Sequence, residues 1–326
     1  MRLLGPGEVR ALKVLSEGRG TNVGELASEL GITDSVASRM LSKLEKKRLV
    51  STTRTKTRRA YFSNNSAARS LQELFSANPH VDFSKVISNS NLQVLSAICY
   101  RASASMDSIS RVCCLPAVTC RRRLSGLGAL GIVWHRSGKY GITLPNLKDF
   151  VSSYCQLIFS LKLGDSTRRS VVEVGPQAVF RMQKEEAPGF VPSGGQEYAR
   201  FGISLILPDW VDYFVHAFQK PKKLGLEEVV AHGLLVNTLF NSQRELSYAL
   251  LVIAKSLKKF DWDEFDSIAS DLAISKDAIA CRQFFSKDYK PLTSGIPGVG
   301  SPSPNRSEFV ELCKQYGIDT EAIFKN

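Results

Sequence analysis

A mainly α-helical fold with small β wings, followed by an α+β, mostly helical C-terminal domain, is predicted by three observations. The apolar positions of residues 6–62 recur without a gap 83 residues later. Positive charge is confined to the same half: residues 1–160 carry 23 Lys/Arg against 10 Asp/Glu, a net of +13, whereas residues 161–326 carry 20 against 21, a net of −1. Beyond residue 210 most of the chain shows helical apolar spacing.

The elements of the first copy follow from period and punctuation. Pro6 opens a helix with Val9, Leu12 and Leu15 on one face, stopped near Gly18-Arg19-Gly20. Thr21 and Asn22 are N-cap candidates for a second helix with Val23, Leu26, Ala27 and Leu30 inward. Gly31-Ile32-Thr33 is a tight turn whose glycine can take positive φ. Thr33 or Asp34 caps a third helix burying Val36, Ala37, Met40, Leu41 and Leu44. Leu49-Val50 opens a strand, Ser51 to Thr55 run outward, Lys56-Thr57 turn, and Arg58 to Phe62 return with Tyr61 and Phe62 packing back.

Shifted by 83, Val9, Leu12 and Leu15 become Leu92, Leu95 and Ile98. Val23, Leu26 and Leu30 become Met106, Ile109 and Cys113, and Leu41, Leu44, Leu49 and Val50 become Leu124, Leu127, Ile132 and Val133. Arg39 and Ser42 recur as Arg122 and Ser125. A hairpin is expected from Ile132 to Arg136, through Ser137-Gly138-Lys139, to Tyr140–Leu144. Helix, helix, helix, hairpin is the order of a winged helix-turn-helix. The expected domains are therefore two winged helix-turn-helix units at 1–65 and 89–146, with a helical linker at 66–88. A connecting amphipathic helix at 147–164 and an α+β domain at 165–326 follow. On that connecting helix Leu147, Phe150, Val151, Tyr154, Leu157, Ile158 and Leu161 form an apolar stripe, suited to packing on its own chain or to a dimer seam.

The segment GELASELGITDSVASRMLSKLEKKRLV, residues 24–50, resembles the MarR-like group of winged-helix regulators. It has their scaffold helix, Gly turn, Ser/Thr-rich recognition helix, basic end and Leu-Val opening to the wing. The resemblance covers about 6–62 and is weaker over 89–144. There the turn is Cys114-Leu115-Pro116 and the third helix holds Gly126 and Gly128. It implies transcription regulation through double-stranded DNA in a bacterial or archaeal cell.

A helix fits the major groove, whose base edges carry a readable donor and acceptor pattern. On the first third helix the outward candidates are Thr33, Ser35, Ser38, Arg39, Ser42 and Lys43, with Arg39 suited to a bidentate guanine contact and Lys43 to phosphate. The wing supplies Arg54, Lys56, Arg58 and Arg59. The second copy offers Thr119, Arg121, Arg122, Arg136 and Lys139. Arg123, at the position of the buried Met40, is expected to snorkel or pair.

In the second half, Ser166 to Met182 reads as β structure, with a further strand at Phe201–Leu207. Helices are expected at Trp210–Phe218, Leu226–Leu239, Arg244–Leu257, Trp262–Leu272, Asp277–Phe285 and Arg306–Tyr316, with a Pro/Gly/Ser-rich loop before the last. The fragments SGGQEYARFGISL, VAHGLLVNTL, SYALLVIAKSLKKFDWDEFDSIASDL and RSEFVELCKQYGI resemble regions beside winged helices in abortive-infection antitoxins and related archaeal regulators. That resemblance implies a sensor or partner-binding module, the partner being a nucleotidyltransferase toxin or a second copy of the chain.

Enzyme chemistry finds little support. Gly164-Asp165-Ser166 is not followed by a helix, and Asp261 and Asp263 suit a helix start better than a magnesium pair. Gly295, Gly298 and Gly300 lie among prolines without a phosphate-loop lysine. His80, His135, His216 and His232 have no ligand spacing. No cofactor and no metal are expected, and an enzyme with a catalytic C-terminal half is the alternative from another class. The seven scattered cysteines lack a CxxC pair, and no apolar stretch spans a bilayer, so a cytoplasmic protein without membrane contact is expected.

Overall fold

The structure is a computed structural model that describes residues 3–17, 20–54, 58–164, 171–183, 190–206, 210–219, 222–240, 243–286 and 305–324. Its contacts divide it into two units, Met1–Asp165 with Ala217–Gln219, and Ser166–His216 with Lys220–Asn326.

The first unit begins with α1 (Pro6–Leu15), α2 (Val23–Leu30), α3 (Asp34–Lys46) and the antiparallel hairpin β1 (Val50–Arg54) and β2 (Arg58–Phe62). Proline at the first turn of α1 supplies a preset φ where no N–H partner is needed. Asn22 closes a capping box: its side chain accepts from Glu25 N at 2.9 Å while Glu25 Oε2 accepts from Asn22 N at 2.9 Å. Gly31 ends α2 at φ 62. Thr21 does not cap α2; its backbone pairs with Ala60, adding a bridge on the edge of β2 away from β1. Leu12, Leu26, Ala37, Leu41 and Leu44 are buried as the period requires, whereas Val36 and Met40 are half-buried beside a groove under α1. Tyr61 is 39% exposed, because strand alternation turns Ala60 inward and Tyr61 outward onto Gly20.

Next come α4 (Ser66–Ala77), α5 (Phe83–Val86), α6 (Ser90–Cys99), β3 (Ala104–Ser105), α7 (Met106–Cys113), α8 (Ala117–Ala129), β4 (Val133–Arg136), β5 (Lys139–Ile142) and α9 (Pro145–Leu163). Helices α7 and α8 reproduce α2 and α3 at the 83-residue offset, and β3 sits where Thr21 sits in the first copy. The turns repeat at atomic detail. Ile32 N donates to Ala27 O at 2.9 Å and Leu115 N to Ser110 O at 3.1 Å; Leu49 N donates to Leu44 O at 3.1 Å and Ile132 N to Leu127 O at 3.0 Å. The second hairpin is shorter. Arg136 pairs with Lys139 around Ser137 (φ 48) and Gly138 (φ 73), the two positive φ values of a two-residue type I′ turn. Its return strand therefore ends at Ile142, not Leu144. The apolar stripe of α9 is covered within the chain: α9 runs along α4 and α6, with Phe150 and Tyr154 buried.

The second unit holds a four-stranded antiparallel sheet, β6 (Val171–Val174), β7 (Gln177–Gln183), β8 (Val191–Ser193) and β9 (Trp210–His216), in the order β6-β7-β9-β8. A 3₁₀ segment, Gly194–Phe201, follows β8. Then come α10 (Leu226–Phe240), α11 (Gln243–Ser256), α12 (Trp262–Asp271), α13 (Ser275–Phe284), α14 (Arg306–Gln315) and α15 (Glu321–Phe324) around one apolar core. Two expectations fail here. Trp210–Phe218 is not a helix: residues 211–216 are buried in a strand between β7 and β8. An apolar run buried on both faces has no diagnostic period, and its valines and aromatics favour the sheet. The strand expected at Phe201–Leu207 is absent over 201–206: Gly202, at φ 87, ends the 3₁₀ segment and residues 203–206 are irregular, while Leu207 lies outside the described residues. The Pro/Gly/Ser-rich loop, 291–305, lies outside the described residues except for Asn305.

Candidate nucleic-acid interface

Helix α3 is held by Ala37, Leu41 and Leu44 against α1 and α2, which leaves its other face to solvent. Thr33, Asp34, Ser35, Arg39 and Lys43 are exposed, and Ser38 and Ser42 are half-buried at the margin. The exposed set runs the length of the helix from its N-terminal end. Thr33 occupies the N-cap without a side-chain bond to the backbone, so its hydroxyl is not consumed by the cap. Arg39 Nε donates to Ser35 O one turn back, at 3.3 Å, which lays the guanidinium along the helix toward that end. Lys47 is the basic residue that faces inward. Its Nζ lies 2.6 Å from Glu8 Oε2 and donates to Leu3 O at 2.7 Å, tying the start of the chain to the end of α3. That ion pair is buried on both sides, so Lys47 belongs to the scaffold and not to the outward surface.

In the wing, Arg54 and Arg58 are register partners next to the turn, and Thr53 is paired with Arg59. Arg59 is exposed and donates through Nη1 to Gly20 O at 2.8 Å, which braces the hairpin against the α1–α2 connection. Lys56 lies outside the described residues.

On α8, Cys120, Leu124 and Leu127 face inward, Arg121 and Arg122 are exposed, and Thr119 is half-buried. Arg123 is half-buried with a buried Nε that has no hydrogen-bond partner among the described residues, so it neither reaches water fully nor pairs through that atom. Cys120 Sγ lies 3.5 Å from Cys113 Sγ, and this contact locks α8 to α7 where the first copy uses Ala37 and Leu30. Arg136 and Lys139 flank the wing turn and are both exposed. The wing is stiffened by Trp134 lying over Gly141, where any Cβ would fall 2.3 Å from the indole, and by His135 stacked on Tyr140 at 4.3 Å. Sequence reading missed Val118, which stands 74% exposed on α8 at the place of Ser35. An apolar residue at an outward position of a helical pattern was the available signal.

In the first copy the arrangement, three helices and a hairpin with one helix presenting hydroxyls and cations, is that of a winged helix-turn-helix. Residues 4–60 match the MarR family. The MarR-family domain thus takes in α1 to α3, β1 and β2 as far as Ala60, the buried pivot of the hairpin. Comparison with curated proteins finds no match.

Elsewhere, the polar side chains singled out from sequence divide between surface and interior: His80, Asp261 and Asp263 are exposed, and His216 and His232 are buried. Asp261 caps α12, accepting from Asp263 N and Glu264 N at 3.0 Å each, and Asp263 itself is exposed. His232 is buried against Phe214 at 4.7 Å, with Nδ1 2.8 Å from Ser193 Oγ. Burial pushes its pKa down to about 4. Arg181 makes a bidentate pair with Asp212, its register partner across β7 and β9, at 2.7 and 2.9 Å, and reaches Glu245 at 3.1 Å. Among the described residues no group of His, Cys, Asp and Glu is placed to hold a metal. No described helix is long and apolar enough to cross a membrane, and all seven cysteines are free thiols.

Proposed function

We propose that the protein is a DNA-binding transcription regulator that reads duplex DNA with α3 and its wing, and again with α8 and its wing, and carries no catalytic centre. The observation that carries this reading is the outward face of α3. Ser35, Arg39 and Lys43 stand exposed on a helix whose opposite face is buried, within the segment matched to the MarR family. Arg39 contacts a guanine edge, Ser35 approaches a base or phosphate, and Lys43, Arg136 and Lys139 neutralise phosphates. The net +13 of residues 1–160 supplies the long-range attraction. The C-terminal unit acts as a sensor or a site for a protein partner.

The test is enrichment of duplexes from a random pool by the full chain, followed by titration at several salt concentrations. Binding is expected to weaken with a log–log slope of about −0.9 per phosphate neutralised. Arg39→Ala is expected to cost roughly 10- to 100-fold on the enriched duplex and much less on random DNA. Equal losses on both would reduce Arg39 to a phosphate contact. Failure to retain any duplex in low salt would overturn the reading.

A further inference from the structure

A duplicated unit can be arranged head to tail, in which unlike faces meet, or about a two-fold axis, in which the same face meets itself. Helices α4 and α9 distinguish these. They are the elements that follow each hairpin, and they pack along one another. Ser70 Oγ on α4 lies 2.7 Å from Ser153 Oγ on α9, and these two residues are 83 positions apart, the repeat offset itself. Each hydroxyl also lies within hydrogen-bond distance of the carbonyl one turn back on its own helix, Ser70 of Ser66 O at 2.8 Å and Ser153 of Asp149 O at 2.5 Å, so the two protons serve the Ser70–Ser153 contact and one of these carbonyls at a time. The buried positions agree as well: Ala67, Ala68, Leu71 and Phe75 on α4 correspond to Phe150, Val151, Tyr154 and Ile158 on α9. The equivalent residues Ser70 and Ser153 therefore meet, on two helices that bury the same set of repeat positions.

We infer that the first unit is an internal pseudo-dimer: a single chain supplies both halves of a two-fold reader, and its target is one duplex site with two unlike halves. This rests on the DNA-binding reading above. Helix-turn-helix dimers mirror their two-fold symmetry in palindromic sites. Here the seam a second chain would need is already filled by α4 and α9, and the two reading faces have diverged. Outward on α3 are Ser35, Ser38, Arg39 and Lys43; at the same places α8 carries Val118, Arg121, Arg122 and Gly126. Arg39 and Arg122 keep one contact common to both halves. Val118 offers an apolar surface suited to a thymine methyl where Ser35 offers a hydroxyl, and Arg121 adds a cation where Ser38 has none.

The test uses the full chain, its stoichiometry on enriched duplexes measured by native mass spectrometry, and the triple variant V118S/R121S/G126K. These three substitutions give α8 the outward residues of α3 at those positions. Val118 and Arg121 are exposed, and a Cβ at Gly126 meets nothing within 4 Å, so the variant keeps its fold. The expected result is one chain per duplex, a non-palindromic enriched site for the natural chain, and a two-fold symmetric site for the variant. Two chains on a palindrome, or an enriched site left unchanged by the variant, would overturn the inference while leaving DNA binding intact. No enriched duplex at all would remove the DNA-binding reading and the inference with it.

Discussion

The outward helix-and-hairpin faces of the first unit and the sheet of the second treat charge in opposite ways. In the first, Arg39, Lys43, Arg121, Arg122, Arg136 and Lys139 all stand exposed on helices and wings whose inner faces are apolar. In the second, Arg181 is largely buried between Asp212 and Glu245, and His232 is buried beside Ser193. An exposed cation keeps its hydration and contributes little to folding, so it remains available to a polyanion. A buried one has given up water and depends on its partners. Substitutions should therefore separate the units by what they damage.

The largest effect is expected from Arg181→Ala, which strands the Asp212 carboxylate in the sheet and should cost about 3–5 kcal/mol in chemical denaturation. A loss below about 1 kcal/mol would mean that Asp212 is solvated. Next is acid. Unfolded His232 takes up a proton below about pH 6.5, while the folded side chain resists protonation down to about 4. Stability should thus be level above pH 6.5 from this group and fall between 6.5 and 4, by on the order of 3 kcal/mol in all. His232→Gln should flatten that slope. Arg122→Ala is the surface counterpart of Arg181→Ala. It should leave the melting temperature nearly unchanged yet weaken binding to the enriched duplex by about 1–3 kcal/mol. Loss of stability without loss of binding would reverse the assignment. Smallest is Cys114→Gly. Cys114 holds at φ 53 the left-handed turn that Gly31 makes at φ 62 in the first copy, so glycine should stabilise the second copy by about 1 kcal/mol. An unchanged melting temperature would show that this turn carries no strain.

The first unit was legible because its information is local. Asn22, Gly31 and the period of α3 each specify their own piece of backbone, and the 83-residue offset carried that reading to α7 and α8. The wing was less legible. Whether Ala60 or Tyr61 turns inward depends on strand register, and a one-residue shift exchanges the faces. The same limit hid β9, whose buried run fits either period until β7 and β8 flank it.

By itself, the sequence determined the order of helices and hairpin in each copy, the segregation of charge, and the outward face of α3. Each follows from side-chain spacing within a few residues. Only the tertiary structure decided that α4 meets α9 face to face and that Asp212 answers Arg181 across two strands. Those facts join residues far apart in the chain. They depend on which surfaces exclude water from one another, and periodicity along one segment carries no record of its partner.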